Sequence, residues 1–257
     1  MATPQHYIWA GGHFVLLISA LRYILAWVTF KAASSWWYKA SYTGALISYA
    51  IVCQKSLGAP QPNAAWARRA LADENVQYFI LAFFWWTSKP IALTLLPYTI
   101  FSLFHALTFT RTTLMPQFLP QGPPATAGGA PTPPQLAKKL QVWVKANYDP
   151  AMKVVAYTEL LILARVVLGA LALSNSFLTP IIYAHFVRMR YFQSVFTKDA
   201  VHRAAYSVDR YVSKPETHPT VKQVWTTVQG LIGRWTGATL PAPGAGAAPA
   251  PAAGAAR

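Results

Sequence analysis

Three apolar runs, residues 8–30, 91–110 and 154–173, approach the roughly 20 residues that a helix needs to cross a hydrocarbon core. They decide what the chain can become. In lipid every backbone N–H and C=O must find a partner within the protein, so such runs are helical unless other protein shields them. Three further apolar segments, 40–53, 76–87 and 177–187, are shorter. Abrupt breaks tie two of the short segments to a long neighbour. One is Thr87-Ser88-Lys89-Pro90, where proline lacks a donor and disfavours helix in the residue before it; the other is Ser174-Asn175-Ser176. The simplest organisation is an all-α membrane protein with six helical segments in three hairpins, both ends of each hairpin on one side. Full crossing and partial, wedge-like insertion are both compatible with pairs this unequal.

Composition and charge agree with that organisation. Apolar residues make up 54% of the 257 and charged residues 11%, against about 25% charged in ordinary soluble domains. Yet the net charge is +15, from 22 basic and 7 acidic residues. The basic residues avoid the hairpin turns, which hold Lys31, Lys39 and Lys89. Lys55, Arg68, Arg69, Arg111, Lys138, Lys139, Lys145 and Lys153 lie between hairpins, and Arg188, Arg190, Lys198, Arg203, Arg210 and Lys214 follow the last one. The positive-inside rule then predicts a cytosolic N-terminus, cytosolic long connections and a cytosolic C-terminal region. The first run has no Lys or Arg before it and ends at Lys31, so it reads as a retained span rather than a cleaved signal. Cys53, the single cysteine, sits in an apolar run and reads as packing. The basic residues are dispersed and match no nucleic-acid fold, so an anionic lipid surface is the expected partner, not nucleic acid.

The expected organisation is two membrane hairpins over 1–115, a Pro/Gly-rich cytosolic loop at 116–137, and the third hairpin with a preceding helix at 138–195. Cytosolic amphipathic helices over 196–238 and a disordered Ala/Pro tail at 239–257 complete it. The strongest amphipathic signal is VKQVWTTVQGLIGRW, residues 221–235. Val221, Val224, Trp225, Val228, Leu231, Ile232 and Trp235 share an arc of roughly 120° at helical spacing, with Lys222 and Arg234 on its opposite flanks. KDAVHRAAYSVDRYV, 198–212, repeats the offsets more weakly through Val201, Ala204, Ala205, Val208, Tyr211 and Val212. Pro215 and Pro219 punctuate the stretch between them. Such a stripe fits the protein's own core, a partner's groove or a membrane surface. The last would gain several kcal/mol at ~25 cal/mol per Å² of apolar area, plus about 1 kcal/mol per nearby basic residue on anionic lipid.

Ionisable groups inside apolar spans are costly and therefore worth naming: His13, Arg22, His105, Glu159, Arg165 and, near the end of the last run, His185. Glu159 and Arg165 are six residues apart and do not face one another on a helix, so Glu159 wants a partner from another segment, with His105 or Arg22 the expected ones. A buried polar contact that fixes helix packing is the first reading. A channel, transporter or lipid-handling cavity built from these groups is the second. No HExxH pair, nucleophile elbow or phosphate loop occurs, so no catalytic residue, metal or cofactor is expected.

The stretch LPYTIFSLFHALTFTRTTL, 96–114, resembles the transmembrane protein 33 family through Phe101-Ser102-Leu103, His105-Ala106, Thr108 and Thr110. The block from Thr158 carries the family's glutamate at Glu159 and its pattern of Pro180, Ile182, Tyr183, Phe186 and Arg190-Tyr191. Weaker similarity runs through ASSWWYKA and ADENVQYF, so the resemblance covers roughly residues 20–195. It implies a multi-pass, non-enzymatic protein of the endoplasmic reticulum and nuclear envelope. It further implies association with reticulon-type proteins, a role in nuclear pore distribution or biogenesis, terminal helices that read curved membrane, and a karyopherin partner. The Pro-rich loop and the Ala/Pro tail depart from the animal members of the family.

Overall fold

The first four helices of this chain begin at side chains that satisfy the orphan amides of the first turn. In a computed structural model that describes residues 3–124 and 131–237, α1 (Pro4–Val28) begins where Thr3 accepts the amide of His6 at 3.3 Å and proline opens the helix. Ser34 caps α2 (Ser35–Leu57), Asn63 caps α3 (Ala64–Ala72), and the Asp73 carboxylate accepts two amides to start α4 (Glu74–Thr87). After the break at Pro90, a short 3₁₀ turn leads into α5 (Leu95–Phe109), which widens through a π turn, Thr110–Leu114, into α6 (Met115–Phe118). Then come α7 (Gln135–Leu171), α8 (Leu178–Gln193), α9 (Val195–Val212) and α10 (Pro219–Thr236). The described residues contain no strand, only one isolated bridge between Gly122 and Thr132. The Ala/Pro tail and the middle of the Pro/Gly-rich loop lie outside the described residues.

All six apolar segments are helical, and among the described residues three helices are long and apolar enough to cross a membrane: α1, the continuous run Ala92–Phe118, and α7. They contain the three long runs that the sequence singled out. At 1.5 Å per residue, α4 and α8 extend only about 21 and 24 Å, short of a hydrocarbon core of about 30 Å. α2 has the length, but its serines, Lys39 and Lys55 lower its hydropathy. The helix before the third long run and the run itself form a single helix of 37 residues that passes Pro150 without interruption. The proline removes one amide donor there, a local defect that the turns on either side carry across.

By packing, the described residues form two compact units that divide between Val187 and Arg188. The most extensive helix pairing of the first is α1 with α2. Gly12 and Gly44 meet where the two backbones come closest: a Cβ on Gly44 would lie 2.5 Å from the Gly12 carbonyl oxygen and 2.8 Å from the Leu16 amide. The Ser48 hydroxyl donates to the Trp9 carbonyl at 2.8 Å beside this crossing. Small residues let helices approach in this way where a hydrophobic driving force between them is absent. α4 packs on α2, α5 on α1 and α7 on α5, so the second expected hairpin is spread across the first. Exposed apolar residues stripe the outside at helical spacing, Ile18, Leu21, Leu25 and Val28 on α1 and Val154, Leu161 and Leu168 on α7, as a lipid-facing surface requires.

The turns after α1 and α7 use the same device. Phe30 (φ 54°) and Leu173 (φ 56°) take left-handed backbone, with the following amides, Lys31 and Ser174, donating back to Ala26 and Gly169 at 2.8 and 2.7 Å. A Gly44→Val variant is expected to lower the thermal midpoint of the detergent-solubilised protein by the equivalent of about 1–3 kcal/mol, the usual range for overpacking. Gly11, which has no neighbour where its Cβ would lie, should accept alanine without loss.

Candidate functional sites: a buried tyrosine cluster and the terminal amphipathic pair

Glu159 is fully buried in the middle of an apolar stretch of α7, and a carboxyl group there needs donors. The Tyr78 hydroxyl, from α4, donates to Glu159 Oε1 at 2.6 Å. Tyr98, from α5, donates in turn to the Tyr78 carbonyl at 2.9 Å. Nearer the turns, Thr94 gives its single hydroxyl proton to the Ile91 carbonyl, so Tyr38 and Tyr42 both donate to its oxygen, at 2.9 and 2.8 Å. The rings are as continuous as the hydrogen bonds. Tyr23, Tyr38, Tyr42, Tyr98 and Tyr78 lie in successive pairs with centroids 4.9 to 5.6 Å apart, and Phe186 of α8 extends the series at 5.1 Å from Tyr78. Five helices thereby meet through aromatic faces, with each cited hydroxyl bonded at its tip.

The other polar residues singled out from the sequence are placed apart from Glu159. His105, on α5, stacks on His13 of α1 with centroids 4.7 Å apart, and Trp9 lies edge-on at 5.3 Å. His13 is buried and its Nδ1 lies 2.9 Å from the Ser102 hydroxyl. Arg22 is exposed on α1, as is His185 on α8. Arg165, also exposed, lines a separate cavity at the turn end of α7. His105, Glu159 and Arg165 therefore do not converge on a shared opening, and the space around Glu159 admits no water. The residue that sequence reasoning missed is Tyr78. Its one signal was its place in the ADENVQYF stretch, three residues into an apolar run that otherwise reads as plain packing.

The terminal stripe divides into two. On α10, Trp225, Val228 and Ile232 are half-buried, while Val221, Val224, Leu231 and Trp235 are exposed at 46, 58, 59 and 38%. The inward part faces α9: the Trp225 indole donates to Asp209 at 3.2 Å, and Gln229 approaches the same carboxylate at 3.4 Å. Arg188, in the second half of α8, donates to the Trp235 carbonyl at 2.6 Å, and Tyr191 meets His202 of α9 at 2.9 Å. The expected stripe thus combines a packed edge with an open one. Lys222 is half-buried and Arg234 exposed. Among the described residues, no group of three His, Cys, Asp or Glu is arranged to hold a metal.

Tyr78→Phe is expected to cost about 1–3 kcal/mol of stability in detergent, because it takes a donor from a buried carboxyl group. Arg22→Gln, at an exposed position, should stay within about 0.5 kcal/mol of the parent. Equal thermal midpoints for Tyr78→Phe and the parent would remove Glu159 from its place in the packing.

The chain matches the family described as Transmembrane protein 33/Nucleoporin POM33 over residues 2–237. It is 31% identical to Tetra-spanning protein 1 of Schizosaccharomyces pombe, over 89% of this chain and 83% of that protein. It is 31% identical to Nucleoporin POM33 of Chaetomium thermophilum, over 89% and 85%, and 27% identical to human Transmembrane protein 33, over 72% and 69%. No solved structure matches it. With its apolar spans, its helical architecture and a family match that runs from the first helix to the last, the chain belongs to the Transmembrane protein 33/Nucleoporin POM33 family of membrane proteins.

Proposed function

We propose that this is a non-enzymatic membrane organiser of the endoplasmic reticulum and nuclear envelope, associated with nuclear pores, whose terminal helices bind the cytosolic membrane surface and favour curved bilayers. The observation that carries this reading is the open edge of α10. Val221, Val224, Leu231 and Trp235 present apolar area that α9 leaves uncovered, beside exposed Arg234. A helix of this kind lies in the interface with its apolar edge in the acyl boundary and its basic residues at the headgroups. Asp209 holding Trp225 fixes which edge is outward, so the stripe need not rearrange to meet lipid. Membership in a family with a named nucleoporin supports a place at the pore membrane.

On this reading the termini and the long basic connections lie in the cytosol, and the apolar hairpins anchor α9 and α10 at the surface. Lys222 and Arg234 add attraction to anionic lipid that fades with salt, since the field falls within about 8 Å at physiological ionic strength.

A segment spanning residues 195–240 should float with small anionic liposomes and less with large ones. Leu231→Asp, on the open edge, should reduce flotation about tenfold while helicity of the lipid-free segment stays unchanged. Trp225→Asp should act differently, loosening the α9–α10 contact itself. Undiminished flotation of Leu231→Asp would contradict the proposed contact.

A further inference from the structure

The turn that follows α4 and the turn that follows α7 enclose a cavity of about 560 Å³, within the range of small-molecule sites. Its lining is chemically lopsided. Lys89 and Arg165 contribute two cations, Ser88, Asn175 and Thr179 contribute neutral polar groups, Trp85 contributes an apolar wall, and among the described residues no carboxylate lines it. Two cations facing one space without an anion repel each other, and a bound anion would offset that repulsion.

The local backbone holds this arrangement open. Arg165 and Gly169 are one helical turn apart, and a Cβ on Gly169 would lie 2.5 Å from Arg165 Nη1 and overlap Asn175 Oδ1. The missing methyl is the room in which the guanidinium and the amide come together. Asn175 is fixed in orientation: its Nδ2 donates to the Val166 and Ser176 carbonyls at 3.1 and 3.2 Å, and a flipped amide would set oxygen against oxygen. Its Oδ1 is then buried with no donor. The cavity therefore offers cations to an anion and an unused acceptor to a nearby N–H or O–H.

We propose that this cavity binds a phosphate ester, with the phosphate at Lys89 and Arg165 and a hydroxyl or ammonium of the same molecule donating to Asn175. Arg and Lys recognise phosphate through charge-assisted hydrogen bonds. A phospholipid headgroup and a soluble phosphate ester share this chemistry. The lipid source rests on the reading that the bundle is embedded in a bilayer.

The test is native mass spectrometry of the full-length protein in neutral detergent, titrated separately with phosphatidylserine, phosphatidylcholine, glycerol 3-phosphate and inorganic phosphate. The parent should bind phosphatidylserine more tightly than phosphatidylcholine, whose headgroup has no N–H or O–H to donate. The double variant Lys89→Gln/Arg165→Gln should bind phosphatidylserine at least about tenfold more weakly, consistent with loss of charge-assisted contacts. Lys89→Arg, which keeps the charge, should retain binding, as should the remote pair Lys222→Gln/Arg234→Gln. Binding of glycerol 3-phosphate with the same sensitivity to the double variant would assign the site to a soluble ester. Binding of inorganic phosphate alone would reduce the assignment to a simple anion and overturn the role of Asn175. Absence of binding by any probe, equal binding by the parent and the double variant, or no preference over phosphatidylcholine would overturn the proposal. None of these outcomes alters flotation of residues 195–240, so the site and the membrane-organising reading fail separately.

Discussion

A carboxyl group in the middle of an apolar helix must be given donors, and the bundle is arranged around doing so at Glu159. Tyr78 reaches it from α4. Tyr98 fixes the backbone of Tyr78, and the rings pass the contact on to α2 and α1. The arrangement explains the chain's unusual use of tyrosine in its interior. The rings of Tyr38, Tyr42, Tyr78 and Tyr98 fill space as phenylalanines would, while each hydroxyl bonds a buried polar atom. At the turn end Thr94 plays the complementary part, taking two tyrosine donors while giving its own proton to Ile91. Helices too short to span a bilayer, such as α4, are held by these contacts as well as by apolar burial.

The crossing of α1 and α2 is the second requirement. Gly12 and Gly44 bring two backbones into contact, and α4 and α5 then lean on opposite members of that pair. This is why the second hairpin is opened: each of its helices finds its larger partner in the first. The two Schellman-type turns, with bulky Phe30 and Leu173 in left-handed backbone, end α1 and α7. Left-handed backbone costs non-glycine residues about 1–2 kcal/mol, so both turns are maintained by the helices they join.

Much of this was legible in the sequence, and the parts that were not have a common cause. The three long spans showed as apolar runs because length and hydropathy are local properties. Glu159 stood out because charge in such a run is expensive. Its partner did not, since Tyr78 is 81 positions away in sequence and looks like any aromatic residue in a greasy helix. The Gly12–Gly44 contact was hidden for the same reason: a glycine reveals its purpose only when the opposing backbone is known. The α10 stripe was visible as a pattern, but periodicity shows an apolar arc without saying what covers it. Asp209, on a different helix, decides which edge stays open.

The proposed orientation puts the turn after α1 in the lumen and the C-terminal region in the cytosol. Accessibility of single cysteines in sealed microsomes tests it most directly. In a Cys53→Ser background, Phe30→Cys and Gly237→Cys would each be exposed to a membrane-impermeant maleimide before and after detergent. The account predicts that position 237 labels at once and that position 30 labels only after the membrane is opened. Equal labelling of both positions in intact vesicles would contradict it.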